Sequence, residues 1–302
     1  MVISDNLRGS GLMMAAMIAF TVNDACMKAV TEELPIFQAI FLRGLLTLIA
    51  LGAMGLVMRA PIWRLPRGDR IWMGLRTVGE VGGTFTFLWA LKHMPLANLS
   101  AILQSLPLAV TLAGAVLLRE PVGWRRMTAI LIGFIGVLLI VRPGTDGFDH
   151  WSIVGLVSVS FVVLRDLATR RISSAVPSVS VAFLAAFSVT FGAGLILPFT
   201  EITAVTAYHG VQIVAASMFL IVGYLTVVMA MRVGDIAVIA PFRYTSLVAA
   251  ILLGWGAFGQ FPDNWTLIGA AIVVATGIYT FYRERALGRE VAMLDAAPLS
   301  AD

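Results

Sequence analysis

Seven charged side chains interrupt stretches of sequence that are otherwise almost wholly apolar. They are four arginines and three carboxylates, namely Arg43, Arg76, Arg165, Arg243, Asp24, Glu80 and Asp166. If these stretches lie in hydrocarbon, each charge must be paired or wetted, and such residues usually serve transport or recognition. An arginine fork binds a carboxylate through two hydrogen bonds, and a carboxylate binds an ammonium group or a proton. The set therefore predicts recognition of a zwitterion such as an amino acid.

The composition indicates a membrane environment. Of the 302 residues, 59% are hydrophobic and 13% are charged, whereas roughly a quarter of a soluble domain is charged. The net charge of +4 does not predict nucleic-acid binding, because the arginines fall between the apolar runs, where orientation signals lie. The single cysteine, Cys26, excludes an intramolecular disulfide, and neither a metal site nor a cofactor is predicted.

Apolar runs of about 20 residues, the length that crosses a bilayer, predict an all-α integral membrane protein with ten transmembrane helices. We place them near residues 9–30, 35–58, 70–91, 96–118, 124–142, 151–171, 177–199, 209–231, 236–258 and 264–282. The polar residues 285–302 are expected to form a loose tail.

The distribution of arginine predicts the orientation of the chain. Basic residues concentrate in the even-numbered loops and at the C-terminal end: Arg59, Arg64, Arg67, Arg70, Arg119, Arg125, Arg126, Arg170, Arg171, Arg232, Arg283, Arg285 and Arg289. Loops rich in Lys and Arg stay in the cytoplasm. We therefore expect a multi-pass protein of the bacterial inner membrane with both termini cytoplasmic.

An internal repeat emerges when the chain is compared with itself at an offset near 141 residues. The matched pairs include Asp24 with Asp166, Lys28 with Arg170, Pro35 with Pro177, Lys92 with Arg232, Trp124 with Trp265 and Arg142 with Arg283. Residues 1–145 and 146–284 then each hold five helices. Because five is odd, the second copy enters the membrane from the opposite side, which predicts an inverted repeat around a midplane site.

Residues from Phe87 to Gly144 resemble the EamA-type drug/metabolite transporters. The resemblance rests on Pro95-Leu96-Ala97, on Pro107-Leu108, on Leu118-Arg119-Glu120, and on a Gly-rich helix that closes in Pro143-Gly144. Residues 225–283 resemble the second copy more weakly, with Gln260 where an acid is expected. The resemblance implies a ten-helix carrier of amino acids or other metabolites. Asn23-Asp24 and Phe41-Leu42-Arg43-Gly44 also resemble a branch of S-adenosylmethionine uptake carriers.

Substrate binding is predicted on three helices. Arg76 and Glu80 are spaced i,i+4 and so share a helix face, which continues to later residues of the same helix. Helix-interior prolines at Pro107 and Pro241 free backbone carbonyls beside other polar residues. The predicted substrate-binding set is Arg76, Glu80, Thr84, Phe87, Gln104, Arg243 and Tyr244.

Gating or coupling is the hypothesis for Asp24, Arg43, Arg165 and Asp166. The first pair falls in the outer part of the predicted bundle, where its members could contact each other, and the second pair falls in the inner part. Structural pairing between helices remains an equal alternative. Lys28 is expected to extend its ammonium group toward the outer membrane surface.

The predicted function is a secondary transporter of small polar metabolites, with export of amino acids favoured. Rocking of the two halves would expose a central cavity to each side in turn. An uptake carrier for an S-adenosylmethionine-like metabolite is the main alternative. A membrane enzyme or scaffold is a remote one, because the seven charges are spread over five helices and form no obvious catalytic set. The expected partners are the small-molecule substrate and the lipid bilayer, with a coupled proton as a candidate. Monomer and dimer both remain open.

Overall fold

The computed structural model describes residues 5–57, 66–119, 122–145, 149–173, 176–233 and 236–296, with backbone only for 178, 179, 232, 236, 237 and 284–296. The described chain is helical throughout and contains no strand. Its helices are α1 (Asp5–Glu33), α2 (Ile36–Val57), α3 (Arg70–His93), α4 (Leu96–Leu103), α5 (Leu106–Leu117), α6 (Trp124–Val141), α7 (Trp151–Arg171), α8 (Ser178–Ile196), α9 (Ala207–Val233), α10 (Ile236–Ile239), α11 (Thr245–Phe258) and α12 (Asn264–Ala296).

These helices occupy the positions of all ten predicted spans, and eight of the spans are long and apolar enough to cross a membrane. The span made by α3 falls outside the eight because Arg76 and Glu80 lower its mean hydropathy. The span of α10 and α11 falls outside because a 3-10 segment, Ala240–Tyr244, divides it. The predicted helical membrane protein is thus confirmed.

The C-terminal helix differs from the prediction. Helix α12 continues to Ala296, so residues 285–296, expected to be a loose tail, have a helical backbone. Residues 297–302, together with Glu120 and the loop arginines Arg59 and Arg64, lie outside the described residues.

The outer surface of the bundle is apolar, as a lipid-facing surface must be. Large apolar side chains with at least half of their area exposed occur on most of the long helices, for example Ile49, Val78, Leu131, Phe191, Val211, Met218, Val248 and Leu252. A surface of this kind in water would be an aggregation or docking site. Here it is the surface that the bilayer covers.

The helices pair across the two halves of the sequence. Helix α1 packs along α9, and α3 packs along α7. Helices α2, α4 and α6 pack against α8, α11 and α12 respectively. Each principal pair therefore joins one helix from residues 1–145 to one helix from residues 146–284.

Glycines let three of these pairs approach closely. An ideal Cβ atom added at Gly82 of α3 would lie 2.6 Å from the ring of Phe161 on α7. The same construction at Gly223 of α9 places the Cβ 2.6 Å from the ring of Phe20 on α1. In α6 and α12, Gly136 and Gly269 face each other, and a Cβ on Gly136 would lie 2.8 Å from the carbonyl oxygen of Gly269. Small residues permit such backbone contact between membrane helices.

Replacing Gly79 by alanine is expected to lower the free energy of unfolding by about 1–3 kcal/mol. Its ideal Cβ would lie 2.7 Å from the backbone nitrogen of Arg165 and from the carbonyl oxygen of Phe161. Backbone atoms cannot change rotamer as a side chain can, so the two helices would have to move apart. The matched control is Gly74→Ala on the same helix, where nothing lies within 4 Å and alanine should stabilise the helix by up to about 1 kcal/mol. Thermal unfolding in detergent measures both. Equal midpoints for the two variants would contradict the close approach.

Polar contacts tie both ends of the bundle. Where α1 ends, the Glu33 carboxylate accepts a hydrogen bond from His209 Nε2 at 2.9 Å. Where α3 begins, at the other end, Asp69 accepts hydrogen bonds from the backbone N–H and hydroxyl of Ser173, at 3.1 and 2.7 Å. Each contact joins one half of the chain to the other.

Lys28 does not extend to the membrane surface as predicted. It is 3% exposed, and its ammonium group donates to the carbonyl oxygens of Leu91 and Met94 at 2.8 and 2.9 Å. These carbonyls are left free at the C-terminal end of α3, where a cation is stabilised. Lys28 therefore fastens α1 to the end of α3.

An ion pair outside the membrane joins the end of α6 to the start of α12. The Arg142 guanidinium contacts the Asp263 carboxylate, which also accepts the backbone N–H of Thr266 at 2.9 Å. Partial burial would raise the pKa of Asp263, but the Thr266 N–H and the Arg142 charge outweigh it and hold that pKa below its ordinary value.

Candidate functional site

A cavity of about 480 Å³ lies inside the bundle and is lined by residues from both halves of the chain. We call it the central cavity. Eight of the predicted site residues line it: Asp24, Arg43, Glu80, Thr84, Phe87, Gln104, Arg165 and Arg243. Residues far apart in the sequence, which were proposed on charge and periodicity alone, thus converge on one space.

Two predicted substrate-binding residues lie outside this lining. Arg76 contacts the Glu80 carboxylate but does not line the cavity. Its Nε and Nη1 groups are buried without a hydrogen-bond partner in the described structure. Tyr244 is buried, and its hydroxyl is directed at Gly277, in space that a Cβ atom would fill. The 3-10 segment turns Arg243 toward the cavity and its neighbour Tyr244 toward α12.

Charges of alternating sign run from α3 to α7. Glu80 contacts Arg76 at 3.4 Å and Arg165 at 3.8 Å. Arg165 in turn forms an ion pair with Asp166 at 2.9 Å. Alternation neutralises each charge locally, which is the condition for burial in a low-dielectric site. Arg76 and Glu80, predicted to bind substrate, therefore form one network with Arg165 and Asp166, predicted to serve gating or coupling.

Asp24 and Arg43 are joined through a residue that sequence reasoning did not select. Arg43 Nη1 donates to the side-chain oxygen of Asn23 at 3.3 Å, and Asn23 Nδ2 donates to Asp24 at 2.9 Å. The side-chain amide thus bridges the two charges in place of the expected direct contact. The Asp24 carboxylate still lines the central cavity.

Two broken helices meet at the cavity. Gln104 and Ser105 separate α4 from α5, and the segment Ala240–Tyr244 separates α10 from α11. Gln104 Nε2 donates to the Ser246 hydroxyl at 2.7 Å, and that hydroxyl donates to the carbonyl oxygen of Arg243 at 3.0 Å. Pro107 lies in the first turn of α5 and Pro241 in the first turn of the 3-10 segment, where no backbone N–H is needed. Interrupted helices in corresponding positions of two repeats commonly form the substrate sites of transporters.

A second cavity of about 330 Å³ adjoins the first. We call it the vestibule. Its lining includes Leu106, Pro107, Arg126, Asp166, Arg170 and Arg243. Leu106 and Arg243 line both cavities. Asp166, predicted to belong to an inner gate, lies here rather than in the central cavity, near the cytoplasmic end predicted by the arginine pattern.

Part of the lining that sequence reasoning missed is polar but uncharged. It includes Asn23, Thr47, Ser100, Ser158, Thr190, Tyr224 and Ser246. Hydroxyl groups in membrane helices usually bond to the carbonyl four residues earlier, as Thr47 does to Arg43. Their presence alone therefore carries no signal for a cavity. Among these residues only Asn23 gave a signal in the sequence, because it lies beside an acid within an apolar run.

Comparison with known proteins identifies the family. Residues 7–142 match the EamA-like transporter family. A riboflavin transporter of Vibrio cholerae is 31% identical over 206 residues, which cover 67% of this chain and 68% of the relative. An S-adenosylmethionine uptake transporter of Rickettsia felis is 24% identical, with 92% of this chain and 94% of the relative covered. The pseudopaline exporter CntI of Pseudomonas aeruginosa is 24% identical, with coverages of 90% and 96%.

The fold also has a counterpart among solved structures. One crystal structure superposes with a TM-score of 0.64 at 21% identity, and the match covers 92% of this chain and 98% of the other. The relatives named above are transporters of metabolites, which supports a metabolite transporter rather than an enzyme. The chain belongs to the EamA-like transporter family.

Proposed function

We propose that this protein is a secondary carrier for a zwitterionic metabolite, either an amino acid or a molecule that contains an amino-acid group. The observation that carries the proposal is Arg243. It is exposed to both the central cavity and the vestibule, and no carboxylate of the described residues lies within 4.0 Å of its guanidinium. A guanidinium held in this way is suited to bind a carboxylate with two hydrogen bonds.

Asp24 is the proposed partner for the ammonium group of the substrate. Glu80 already neutralises two arginines, whereas Asp24 receives a hydrogen bond from Asn23 and makes no direct ion pair in the described structure. A carboxylate that lines a cavity in a membrane can be balanced by a bound cation or by a proton. A proton coupled to transport is therefore the other proposed occupant of Asp24.

The size of the cavity favours a substrate larger than a small amino acid. Its volume of about 480 Å³ lies within the range of about 300–1,000 Å³ that is typical of pockets for drug-sized ligands. Phe20, Phe87 and Tyr224 contribute aromatic surface to the lining. A ring or an extended side chain would be buried against these residues while the charged groups bind Arg243 and Asp24.

Uptake of an S-adenosylmethionine-like metabolite is the second candidate. It is supported by the Rickettsia relatives, whose similarity extends over 92% of this chain. Such a substrate shares the amino-acid group with the first candidate, so both use the same two anchors. Export stays our prediction for the first candidate. Gradients and not side chains set the direction of a secondary carrier, so the same two anchors serve export and uptake.

Several contacts support an inverted repeat. Exchanging each helix for its counterpart in the other half turns the α1–α9 pair into the α7–α3 pair, and the α2–α8 and α6–α12 pairs map onto themselves. The contacts exchange as well. Phe161 follows Phe20, and Gly223 follows Gly82, by 141 residues each, and both Phe–Gly pairs are in contact. Likewise Ser173 follows Glu33, and His209 follows Asp69, by 140 residues each. Such symmetry suits alternating access across the inner membrane.

The same contacts favour moving units that combine helices from both halves. The α1–α9 pair is joined by Phe20 and Gly223 and by Glu33 with His209. The α3–α7 pair is joined by the equivalent contacts. Rocking of the sequence halves would break all of these contacts, whereas rocking of the α1–α9 pair against the α3–α7 pair would keep them. We therefore propose the second motion.

Cross-linking distinguishes the two motions. In a Cys26→Ala background, a short thiol cross-link between Glu33→Cys and His209→Cys is expected to leave transport unchanged, because both positions belong to one moving unit. A cross-link between Lys28→Cys and Met94→Cys joins α1 to the end of α3 and is expected to stop transport. The reduced form of each protein is its own reference. Loss of transport on cross-linking positions 33 and 209 would instead support rocking of the halves.

Counterflow in proteoliposomes tests the substrate class. Vesicles loaded with an unlabelled candidate are assayed for uptake of its labelled form, across amino acids, S-adenosylmethionine and riboflavin. Accumulation of amino acids or S-adenosylmethionine that is lost in Arg243→Gln and Asp24→Asn proteins supports the proposal. Accumulation of riboflavin alone, or of a substrate that still exchanges in both variants, overturns the zwitterion proposal and leaves the family assignment standing.

A further inference from the structure

A groove of about 450 Å³ opens on the outer surface between the start of α6 and the middle turns of α12. Its lining includes Trp124, Arg125, Ala129, Ile132, Ala275 and Tyr279. The two threonines of the lining direct their hydroxyls to backbone carbonyls, Thr128 to Trp124 at 2.9 Å and Thr276 to Ile272 at 2.8 Å. The groove therefore presents mainly apolar surface to whatever fills it.

The dimensions of the groove match one acyl chain. Trp124 and Ile132 are two turns apart on α6, which corresponds to about 12 Å at about 1.5 Å per residue. The hydrocarbon core of a bilayer is about 30 Å thick, so the groove extends from the interface through most of one leaflet. Trp124 is 73% exposed and fits the interfacial position that tryptophan favours.

Arg125 supplies a positive charge at the mouth of the groove. Its guanidinium stacks over the Trp124 ring at 5.3 Å, and no carboxylate of the described residues lies within 4.0 Å of it. The equivalent position in the second half is Thr266, which carries no charge and whose backbone N–H donates to the Asp263 carboxylate at 2.9 Å. The cationic mouth thus faces only the predicted cytoplasmic side, where anionic lipids attract basic residues.

We propose that this groove binds an anionic phospholipid, with one acyl chain between α6 and α12 and the phosphate on Arg125. The lipid would bridge two helices whose backbones already touch at Gly136 and Gly269. Because these helices come from different halves of the chain, the bound lipid would strengthen a contact that both halves share. This site is separate from the central cavity and does not depend on what the protein transports.

Quenching of Trp124 fluorescence by brominated lipids tests the site. Purified protein is reconstituted into vesicles that contain brominated phosphatidylglycerol or brominated phosphatidylcholine at equal mole fraction. The difference between wild-type and Trp124→Phe protein isolates the signal of that residue. One basic side chain near an anionic surface predicts an apparent affinity about fivefold higher for phosphatidylglycerol.

Two variants separate the contributions of head group and chain. Arg125→Gln should abolish the preference for phosphatidylglycerol, and Ala275→Phe should reduce quenching by both lipids because the ring fills the groove. Arg67→Gln, an exposed arginine of another loop on the predicted cytoplasmic side, is the control and should keep the full preference. Equal quenching by the two lipids in the wild type, a preference for phosphatidylglycerol that survives in Arg125→Gln, or undiminished quenching in Ala275→Phe overturns the proposal.

Discussion

Replacing Glu80 by glutamine is expected to lower the free energy of unfolding by about 3 kcal/mol and to abolish transport. The carboxylate contacts Arg76 at 3.4 Å, and these two side chains are only 10% and 12% exposed. Arg165 retains Asp166 at 2.9 Å. The loss therefore falls on Arg76, which would become a buried cation without a counter-charge. Thermal unfolding in detergent and counterflow in vesicles measure the two effects separately.

A double variant separates the structural role of Glu80 from its role in transport. Replacing both Arg76 and Glu80 by methionine removes the buried pair together, which is often neutral for stability. We expect the double variant to unfold close to the wild-type temperature and to remain inactive, because Arg165 would lose the Glu80 contact that helps to position it in the cavity. Recovery of both stability and transport would show that Glu80 serves only to neutralise Arg76.

Replacing Arg243 by glutamine is expected to raise the half-saturating concentration of a carboxylate-bearing substrate by about 10- to 100-fold. A hydrogen bond to a charged group contributes about 1.5–3 kcal/mol, and each 1.4 kcal/mol corresponds to a factor of ten. Arg243→Lys keeps the charge and loses the planar fork, so its half-saturating concentration should lie between those of the wild type and of Arg243→Gln. The concentration dependence of counterflow measures the series.

The amide of the same substrate is the control for Arg243. It has no carboxylate, so the wild-type protein should bind it weakly and Arg243→Gln should bind it equally weakly. If the substitution shifts the acid and the amide by the same factor, Arg243 shapes the cavity without binding the carboxylate. The comparison needs no knowledge of how the substrate is oriented.

The helical plan could be predicted from the sequence because the length and hydropathy of a span are local properties. The placement of the ten segments follows from runs of about 20 apolar residues. The division of the fourth span at Gln104 and Ser105 could not be predicted in this way. A break in a helix is stabilised by tertiary contacts, here the hydrogen bond from Gln104 to Ser246 on a distant helix, and no local pattern encodes such a contact.

The candidate site was predictable as far as it is charged. Burial makes an ion in a membrane conspicuous in sequence, and the five charged residues that line the central cavity were all among those selected. Spacing alone could not show that Arg76 would stand behind Glu80, or that Tyr244 would face α12 while Arg243 faces the cavity. Those orientations depend on a 3-10 turn and on the rotation of α3 against α7, which many distant residues determine together.

The pairing of helices across the halves also has a consequence for biogenesis. When residues 1–145 have left the ribosome, α1 and α3 still lack α9 and α7, along which they pack in the finished protein. The first half of the chain therefore cannot complete its packing alone, and its polar residues must be shielded until the later helices are inserted. Helix α1 waits longest, because more of the chain separates it from its partner α9 than separates the members of any other principal pair, and α12, the partner of α6, is synthesised last. Membrane insertion of this chain and its tertiary assembly are therefore separate events, and assembly is completed only after the final helix has entered the bilayer.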